Sequence, residues 1–293
     1  YAGNRYLHAL ARHDFSSARL VEAIDKRRAD VNVINNDGYS PLRYAIESGS
    51  AETVAALMRR GARPVYETGK GRQYNAVTAA ILRGSPEILK AVLENGGAPY
   101  VNAPGLDSRG DSETAPALTL AVQKYNYSLI APLAAAGAAL NPVSDSSGLT
   151  PLAHAASLDA PSAVTALWRA GADINAPCRD GRTALHLAVA MQDHRTAMLD
   201  TLLGLGAETE RRDAQGRTAL MAAVEGNNPR MVQRLLAAGA KIDARNDRRD
   251  GETPLMAAAR LGYADIAGHL LKGGADVLLC DRFNRTAAKI AQD

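Results

Sequence analysis

The feature that most constrains this chain is an internal repeat with a period of 33 to 41 residues. The segment "DGRTALHLAV", which begins at Asp180, returns in related form as "DGYSPLRYAI" from Asp37, "SGLTPLAHAA" from Ser147, "QGRTALMAAV" from Gln215 and "DGETPLMAAA" from Asp250. Self-similarity at a fixed period of about 20 to 50 residues indicates stacked supersecondary units, each of which buries its apolar face against a neighbour. The repeat therefore constrains the fold more strongly than any single motif does.

Two markers divide each repeat into a part of fixed length and a part of variable length. A central apolar residue is the first marker, and it occupies Leu7, Leu42, Val77, Leu118, Leu152, Leu185, Leu220, Leu255 and Ala288. A glycine, the second marker, follows 19 residues later in six units and 21 residues later in the unit of Leu185. From this glycine to the next apolar marker the distance varies from 14 to 22 residues. The fixed part predicts packed secondary structure, and the variable part predicts loops.

The fixed part is predicted to form two helices. Hydroxyl residues such as Ser40 and Thr150 precede the first helix as N-caps, and Pro41 and Pro151 occupy its first position, where proline loses no hydrogen bond. A glycine such as Gly84 can adopt a left-handed conformation and so separate the two helices. The variable part is rich in Asn, Asp, Gly and Pro, which are turn-forming residues.

These residues resemble the ankyrin repeat, in which D-x-x-G-x-T-P-L-H-x-A opens a helix pair and the second helix ends in G-A-D-V-N. The segments "RADVN", "GADIN" and "GADV" match that second half. The resemblance extends over nearly the whole chain and implies an all-α solenoid of stacked helix-turn-helix units with projecting finger loops. We expect a single domain, 1–293, with an N-terminal capping unit at 1–36, seven repeats at 37–281 and a truncated C-terminal cap at 282–293.

The same resemblance implies a structural role for the threonine and histidine of the opening segment. In the family, the threonine caps the first helix, and the histidine forms hydrogen bonds near it and ties neighbouring loops together. Thr183 and His186 are therefore expected to belong to the scaffold. The other repeats carry different residues at the histidine position, so no shared chemistry depends on it.

A catalytic or metal site finds little support in the sequence. Cys178 and Cys280 are too few for a zinc site, and no nearby cysteine or acid completes a metal set with His186 and His194. A catalytic Cys178 would need a base and an orienting group, and an enzyme reading predicts turnover that disappears when Cys178 or His194 is replaced. The "GKGR" segment from Gly69 lacks the spacing of a phosphate-binding loop. We expect no catalytic residue, no metal and no cofactor.

Charge leaves nucleic-acid or phosphate binding as an alternative function. The 34 basic and 31 acidic side chains give a formal net charge of +3, and no like-charge block suggests a nucleic-acid or membrane partner. The C-terminal fingers do carry arginines at Arg179, Arg182, Arg211, Arg212, Arg217, Arg245, Arg248, Arg249, Arg282 and Arg285. Acidic residues are interleaved with them, so a mixed solvated rim is the favoured interpretation. Nucleic-acid binding would instead predict an affinity that falls steeply as salt rises.

Tyrosines indicate where a protein partner would bind. Nine of the ten lie at or before residue 127, and the longest finger, residues 97–117, lies among them. Tyrosine is a good interface anchor because it buries a large area and carries a polar hydroxyl group. In the family, the concave face of fingers and first helices is the usual protein-binding surface. The predicted contact residues are Tyr39, Glu47, Tyr66, Tyr74, Arg83, Tyr100, Lys124, Tyr125, Arg182 and Arg217.

Two further expectations concern individual side chains. Alanine at Tyr39 and Tyr74 is expected to weaken capture of the partner far more than alanine at Arg282 and Arg285. Tyr44 is expected to face inward, in the core, by its register in the helix.

The composition resembles that of bacterial stand-alone ankyrin proteins, since the repeats are rich in alanine and arginine and no catalytic module accompanies them. We interpret the chain as a non-catalytic protein-binding scaffold that is a monomer when free. A sharper hypothesis is an inhibitor or immunity protein that covers a cognate toxin or enzyme. No window approaches the roughly 18 apolar residues of a membrane span. Because the chain starts at Tyr1 rather than at methionine, a removed leader would predict the periplasm; otherwise the cytoplasm is expected.

Overall fold

Helix pairs separated by loops make up most of the chain in the computed structural model. The structure describes residues 7–11, 17–27, 29–68, 72–103, 105–106, 112–113, 115–144, 146–190 and 196–292. The chain divides into two units, Tyr1–Ser147 and Gly148–Asp293, each packed mainly on itself. The expectation of one continuous domain stays a prediction.

The first unit, Tyr1–Ser147, contains helices that pack in two rows. Its helices are α1 (Ser17–Arg27), α2 (Pro41–Ser48), α3 (Ala51–Arg59), α4 (Ala76–Arg83), α5 (Pro86–Val92), α6 (Ala117–Gln123) and α7 (Ile130–Ala135). Residues 7–11 are also helical, and shorter helical turns occur at Leu93–Gly97, Ala98–Tyr100 and Tyr127–Leu129. The first helices α2, α4 and α6 pack in sequence against one another, while the second helices α1, α3 and α5 form a parallel row.

The second unit, Gly148–Asp293, follows the same plan. Its helices are α8 (Pro151–Ser157), α9 (Pro161–Arg169), α10 (Ala184–Val189), α11 (Ala197–Gly204), α12 (Ala219–Glu225), α13 (Pro229–Ala237), α14 (Pro254–Leu261), α15 (Ala264–Lys272) and α16 (Ala287–Ile290). The first helices α8, α10, α12, α14 and α16 form one row, and α9 with α11 and α13 with α15 pack as second helices. The predicted helix pairs and their all-α repeat stack are confirmed.

Side-chain caps begin the first helices, as the sequence predicts. Ser40 Oγ accepts a hydrogen bond from the backbone N–H of Arg43 at 3.2 Å, and Thr150 Oγ1 accepts one from Ala153 at 3.2 Å. An N-cap hydrogen bond of this kind stabilises a helix by about 1 kcal/mol. Helix α4 ends at Gly84, whose φ of 74° is a left-handed conformation that glycine adopts without strain.

Two of the fingers contain short antiparallel hairpins. In one, β1 (Val65–Thr68) pairs with β2 (Arg72–Asn75), and Tyr66 lies opposite Tyr74. In the other, β3 (Gly105–Leu106) pairs with β4 (Ser112–Glu113). These strands belong to loops that connect the helix pairs, so they extend the fingers and leave the helical stack unchanged.

Small residues let the helices pack closely. Leu42, Ala45 and Ile46 on α2, like Leu255 and Ala258 on α14, are buried, at positions three or four apart along one face. Each such face is too narrow to form an interior alone and gains its burial from the next repeat. None of the helices that the structure describes is both long and apolar enough to cross a membrane.

Candidate protein-binding surface

A cluster of four tyrosines surrounds one buried arginine in the first unit. We call this group, Tyr39, Tyr44, Tyr66, Tyr74 and Arg43, the tyrosine cluster. The guanidinium carbon of Arg43 lies 3.7 Å from the ring centroid of Tyr39 and 5.7 Å from that of Tyr74. The Tyr39 and Tyr44 centroids are 4.9 Å apart, and the Tyr66 and Tyr74 centroids are 4.8 Å apart. The rings and the guanidinium form a continuous stack between the first helix and two fingers.

Arg43 owes its place inside this cluster to an acidic partner one helical turn away. Its Nε lies 3.0 Å from Glu47 Oε1, and the Arg43 side chain is only 10% exposed, against 47% for Glu47. Burial acts to lower the pKa of Arg43, but the hydrogen bond to Glu47 and the nearby negative charge outweigh burial and raise the pKa. Arg43 is therefore charged at every physiological pH.

Tyr66 ties its finger to the finger before it. Its hydroxyl accepts a hydrogen bond from the N–H of Ser40 at 3.2 Å and donates one to the carbonyl oxygen of Gly38 at 3.3 Å. Burial raises the pKa of Tyr66 and raises that of Tyr74 well above its usual value. Both phenol groups consequently stay neutral.

Two tyrosines differ from the sequence-based expectation. Tyr74, expected to contact a partner, is only 2% exposed, because the antiparallel register of β1 and β2 stacks its ring on Tyr66. Tyr74 therefore supports the ring of Tyr66 and is not itself accessible to a partner. Tyr44, expected in the core, is half-buried and reaches a surface groove, because Leu42, Ala45 and Ile46 already fill the inward face of α2.

A groove opens beside Tyr44 at the edge of the tyrosine cluster. It is an open cavity of about 640 Å³ lined by Asp37, Tyr39, Tyr44, Glu47 and Ser48. Aromatic rings and carboxylates thus share one opening at the start of the first helix. Its volume lies within the range of about 300–1,000 Å³ that is common for ligand-binding clefts.

A second exposed aromatic group lies at a break between helices of the same unit. Tyr125 is 65% exposed, and its ring centroid lies 6.3 Å from that of Tyr127. The φ of Tyr125 is 58°, a left-handed conformation that is strained for a bulky side chain. Lys124 beside it is exposed, as is Arg83 at the end of α4. These three predicted contact residues all lie where a first helix ends.

Tyr100 stands apart from both groups. It is 39% exposed, and its carbonyl oxygen accepts a hydrogen bond from Asn75 Nδ2 at 3.0 Å. This bond joins the base of the long finger to the end of β2. Much of the tip of that finger, at residues 107–111, lies outside the described residues.

The last two predicted contact residues lie in the second unit and are held by acidic neighbours. Arg182 Nε lies 2.6 Å from Asp180 Oδ2. Arg217 pairs with Asp213 at 2.7 Å and with Glu225 at 2.9 Å. Burial acts to raise the pKa of Asp213, but hydrogen bonds from Arg217 outweigh burial and lower it. Both guanidinium groups therefore serve first to brace their own fingers.

Other arginines of the second unit are paired in the same way. Arg211 binds Glu208 at 2.8 Å, Arg249 lies 3.3 Å from Glu225, and Arg285 binds Asp281 at 2.8 Å. Phosphate contacts require cationic groups that are available to the ligand. The internal pairing supports the mixed rim over the nucleic-acid alternative.

The residues singled out as possible chemistry prove structural where they are described. Thr183 Oγ1 lies 3.0 Å from His186 Nδ1, and His186 Nε2 donates to the carbonyl oxygen of Arg217 at 3.0 Å, so the predicted scaffold role is confirmed. Burial lowers the pKa of His186 and raises that of the buried Cys178 thiol, which disfavours a reactive thiolate. His194 and residues 69–71 of "GKGR" lie outside the described residues.

No group of three or more metal-ligating side chains occurs within the described part of the chain. Sequence reasoning missed four residues of the tyrosine cluster and its groove: Arg43, Tyr44, Asp37 and Ser48. The signal for Arg43 was present, since arginine stands there at the histidine position of the repeat with glutamate four residues later. An i, i+4 pair of opposite charge on a helix is a recognisable pattern.

Comparison with known proteins gives one family over most of the chain. The family model described as ankyrin repeats, in three copies, matches residues 7–104, 118–213 and 190–281. The chain is similar to the E3 ubiquitin-protein ligase KEG of Arabidopsis thaliana, at 31% identity over 224 residues, which are 72% of this chain and 13% of that protein. It is also similar to a putative ankyrin repeat-containing protein of Treponema pallidum, at 31% identity over 54% of this chain and 47% of that protein.

A third relative is the B-cell lymphoma 3 protein homolog of Mus musculus, at 29% identity over 58% of this chain and 37% of that protein. The chain thus spans between 13% and 47% of the lengths of these relatives. Ankyrin repeats are general protein–protein interaction modules, and in most of their occurrences they are non-catalytic. From its repeated helix pairs, its capped first helices and the extent of these matches, the chain belongs to the ankyrin-repeat family.

Proposed function

We propose that this chain binds a protein partner through the tyrosine cluster, its groove and the exposed ring of Tyr125, and that it performs no chemistry of its own. The observation that carries the proposal is the contrast between the two units. Nine of the ten tyrosines lie in the first unit, and the tyrosine cluster there borders a groove of about 640 Å³. The second unit exposes Trp168 and Phe283 and has a smaller cavity of about 320 Å³, which is lined mainly by charged side chains. In the second unit the corresponding fingers present arginines already paired with acids.

Interface energetics support this choice of surface. Tyrosine and arginine supply a large share of binding hot spots, and a ring that is fixed by its neighbours loses little freedom on binding. Tyr39 is fixed by Arg43 on one side and by Tyr44 on the other. A standard protein interface buries roughly 1,600 Å² in total. The cluster with Tyr125 would form the aromatic core of such a contact.

The finer form of the proposal is that the chain is a free monomer whose partner is a toxin or an enzyme, which it inhibits by covering it. The action proposed for this scaffold is contact with the partner alone. Inhibition is therefore the simplest outcome of tight binding near the partner's active site.

Capture of the partner tests the proposal. The immobilised chain is incubated with an extract of its source organism, and bound proteins are identified by mass spectrometry. Replacing Tyr125 by alanine is expected to weaken capture by about tenfold or more, as for an aromatic hot spot. Replacing the exposed Arg282 by alanine serves as the matched control and is expected to leave capture unchanged.

Opposite losses, with Arg282→Ala affecting capture more than Tyr125→Ala, would overturn the proposed surface. Tyr39→Ala is a second test, and its melting curve is compared with that of the wild type because Tyr39 also packs on Arg43. The captured protein's own activity, measured with and without added chain, decides the inhibitor role. Undiminished activity at saturation would refute inhibition and leave binding intact.

A further inference from the structure

We propose that the groove lined by Asp37, Tyr39, Tyr44, Glu47 and Ser48 receives a cationic side chain, arginine or lysine, that the protein partner presents. The inference rests on the proposed function, because it names the chemistry of the residue that enters this groove. It follows from three properties of the groove: the sign of its accessible charge, its aromatic wall and its size.

The accessible charges of the described residues that line the groove are acidic. Asp37 is exposed, and its carboxylate has no ion pair or hydrogen bond with any residue that the structure describes. Glu47 is half-exposed, whereas Arg43, which pairs with it, is buried beneath Tyr39. An incoming group therefore meets two carboxylates before it meets the guanidinium. This arrangement favours a cation over an anion.

The aromatic wall is suited to the same ligand. A guanidinium already stacks on Tyr39 from within, with Arg43 Cζ 3.7 Å from the ring centroid. The Tyr44 ring stands beside it at a tilt of 32°, and its hydroxyl accepts a hydrogen bond from Asn35 Nδ2 at 3.2 Å. Cations are attracted to the faces of tyrosine rings. Tyr44 lines the opening, so a cation that enters the groove meets the Tyr44 ring in the way that Arg43 meets the Tyr39 ring.

His8 lies beside the two tyrosines of the groove. Its ring meets that of Tyr44 edge-on, with 5.8 Å between centroids, and its Nε2 donates to the carbonyl oxygen of Tyr39 at 2.9 Å. These contacts fix the ring of Tyr44 and the backbone of Tyr39. The cavity of about 640 Å³ leaves room for one long side chain together with part of the backbone that carries it.

Short peptides test the inference without knowledge of the partner. The probes are N-acetylated, C-amidated pentapeptides of sequence Gly-Ala-X-Ala-Gly, in which X is arginine, lysine, norleucine or glutamate. Binding is followed by NMR through the ring signals of Tyr39 and Tyr44. One ion pair and one ring contact together predict that the arginine and lysine peptides bind about tenfold more tightly than the norleucine peptide.

A substitution at Asp37 gives the matched variant. Asp37→Asn removes the charge, and since the carboxylate has no ion pair or hydrogen bond with a described residue, the melting curve is expected to stay unchanged. Binding of the arginine peptide is expected to weaken about threefold. Asp247→Asn is the control, because Asp247 is an exposed finger aspartate of the second unit. Equal binding of all four peptides, stronger binding of the glutamate peptide, or no effect of Asp37→Asn would overturn the inference.

The captured partner separates this inference from the proposed function. If Tyr125→Ala weakens capture and Asp37→Asn does not, the surface binds a protein but the groove receives no cation. If the cationic peptides bind selectively and no protein is captured, the groove has the inferred chemistry and the proposed function fails.

Discussion

Tyr125 provides a sharp test of the structural reasoning, because its backbone and its side chain have opposite effects on stability. Seven residues after the markers Leu42, Val77, Leu152, Leu220 and Leu255 the chain turns left-handed, and glycine, asparagine or aspartate occupies that position at Gly49, Gly84, Asp159, Asn227 and Gly262. Tyr125 occupies the same position after Leu118, and there a bulky residue adopts this conformation, with a φ of 58°. A left-handed conformation costs an ordinary residue about 1–2 kcal/mol, and asparagine less. Tyr125→Asn therefore replaces a strained residue by one that tolerates this conformation.

The expected change in the free energy of unfolding follows from two contributions. Relief of backbone strain adds about 1 kcal/mol of stability. Loss of the ring contact with Tyr127, whose centroid is 6.3 Å away, removes about 0.5 kcal/mol, the lower end for aromatic pairs, since Tyr125 is largely exposed. Tyr125→Asn is expected to stabilise the chain by about 0.5 kcal/mol. The reverse exchange, Asn227→Tyr, is expected to destabilise it by about 1 kcal/mol.

Urea unfolding measures both variants, with the midpoint compared at an unchanged dependence of the free energy on urea. Tyr125→Phe is the matched control, because it keeps both the ring and the strain and is expected to leave the midpoint where it is. If Tyr125→Asn lowered stability as much as Asn227→Tyr does, the strain argument would be wrong. A variant that is more stable and binds its partner less well would connect the strain directly to function.

Two further predictions concern the second unit. Gly181 has a φ of 75°, and a Cβ there would lie 2.8 Å from the backbone nitrogen of Ala214. Gly181→Ala is therefore expected to destabilise the chain by about 1–3 kcal/mol in thermal melting. The control is Gly204→Ala on α11, where a Cβ meets no other atom, and it should stabilise the chain slightly. Asp213→Asn is expected to destabilise it by about 1–2 kcal/mol at pH 7. Because Asp213 has a lowered pKa in the fold, its contribution is present above the unfolded pKa and lost as pH falls from about 5 to 2. The wild type should lose stability over that window more steeply than Asp213→Asn, and parallel curves would contradict the pairing.

The helical stack was predictable because its determinants are local and repeated. Hydroxyl caps, first-position prolines and left-handed glycines each act within one turn, and the fixed distance between markers reports two packed helices. The scaffold role implied for His186 also appears in the structure, where the ring bonds to Thr183 on one side and to the next finger on the other. An error in assigning the helices of one repeat would disagree with the pattern of the other repeats.

The candidate site was predictable only in its location. Placing Tyr74 required the register of a finger hairpin, which sequence alone leaves open and which decides the face on which each side chain lies. Placing Tyr44 required knowing which residues fill the inward face of α2. Burial of Arg43 runs against the usual preference of arginine for the surface and depends on its pairing with Glu47 inside an aromatic enclosure. Such contacts depend on residues that differ from one repeat to the next, and the period does not encode them.

Hydrogen exchange of the chain with and without its captured partner most directly tests the claim that the first unit provides the binding surface. Backbone amides of residues 35–48 and 124–127 are predicted to exchange more slowly in the complex, because the partner covers the tyrosine cluster and Tyr125. Amides of residues 245–252 and 280–285 are predicted to exchange at the same rate in both states. Protection confined to those C-terminal fingers, with residues 35–48 unaffected, would contradict the account.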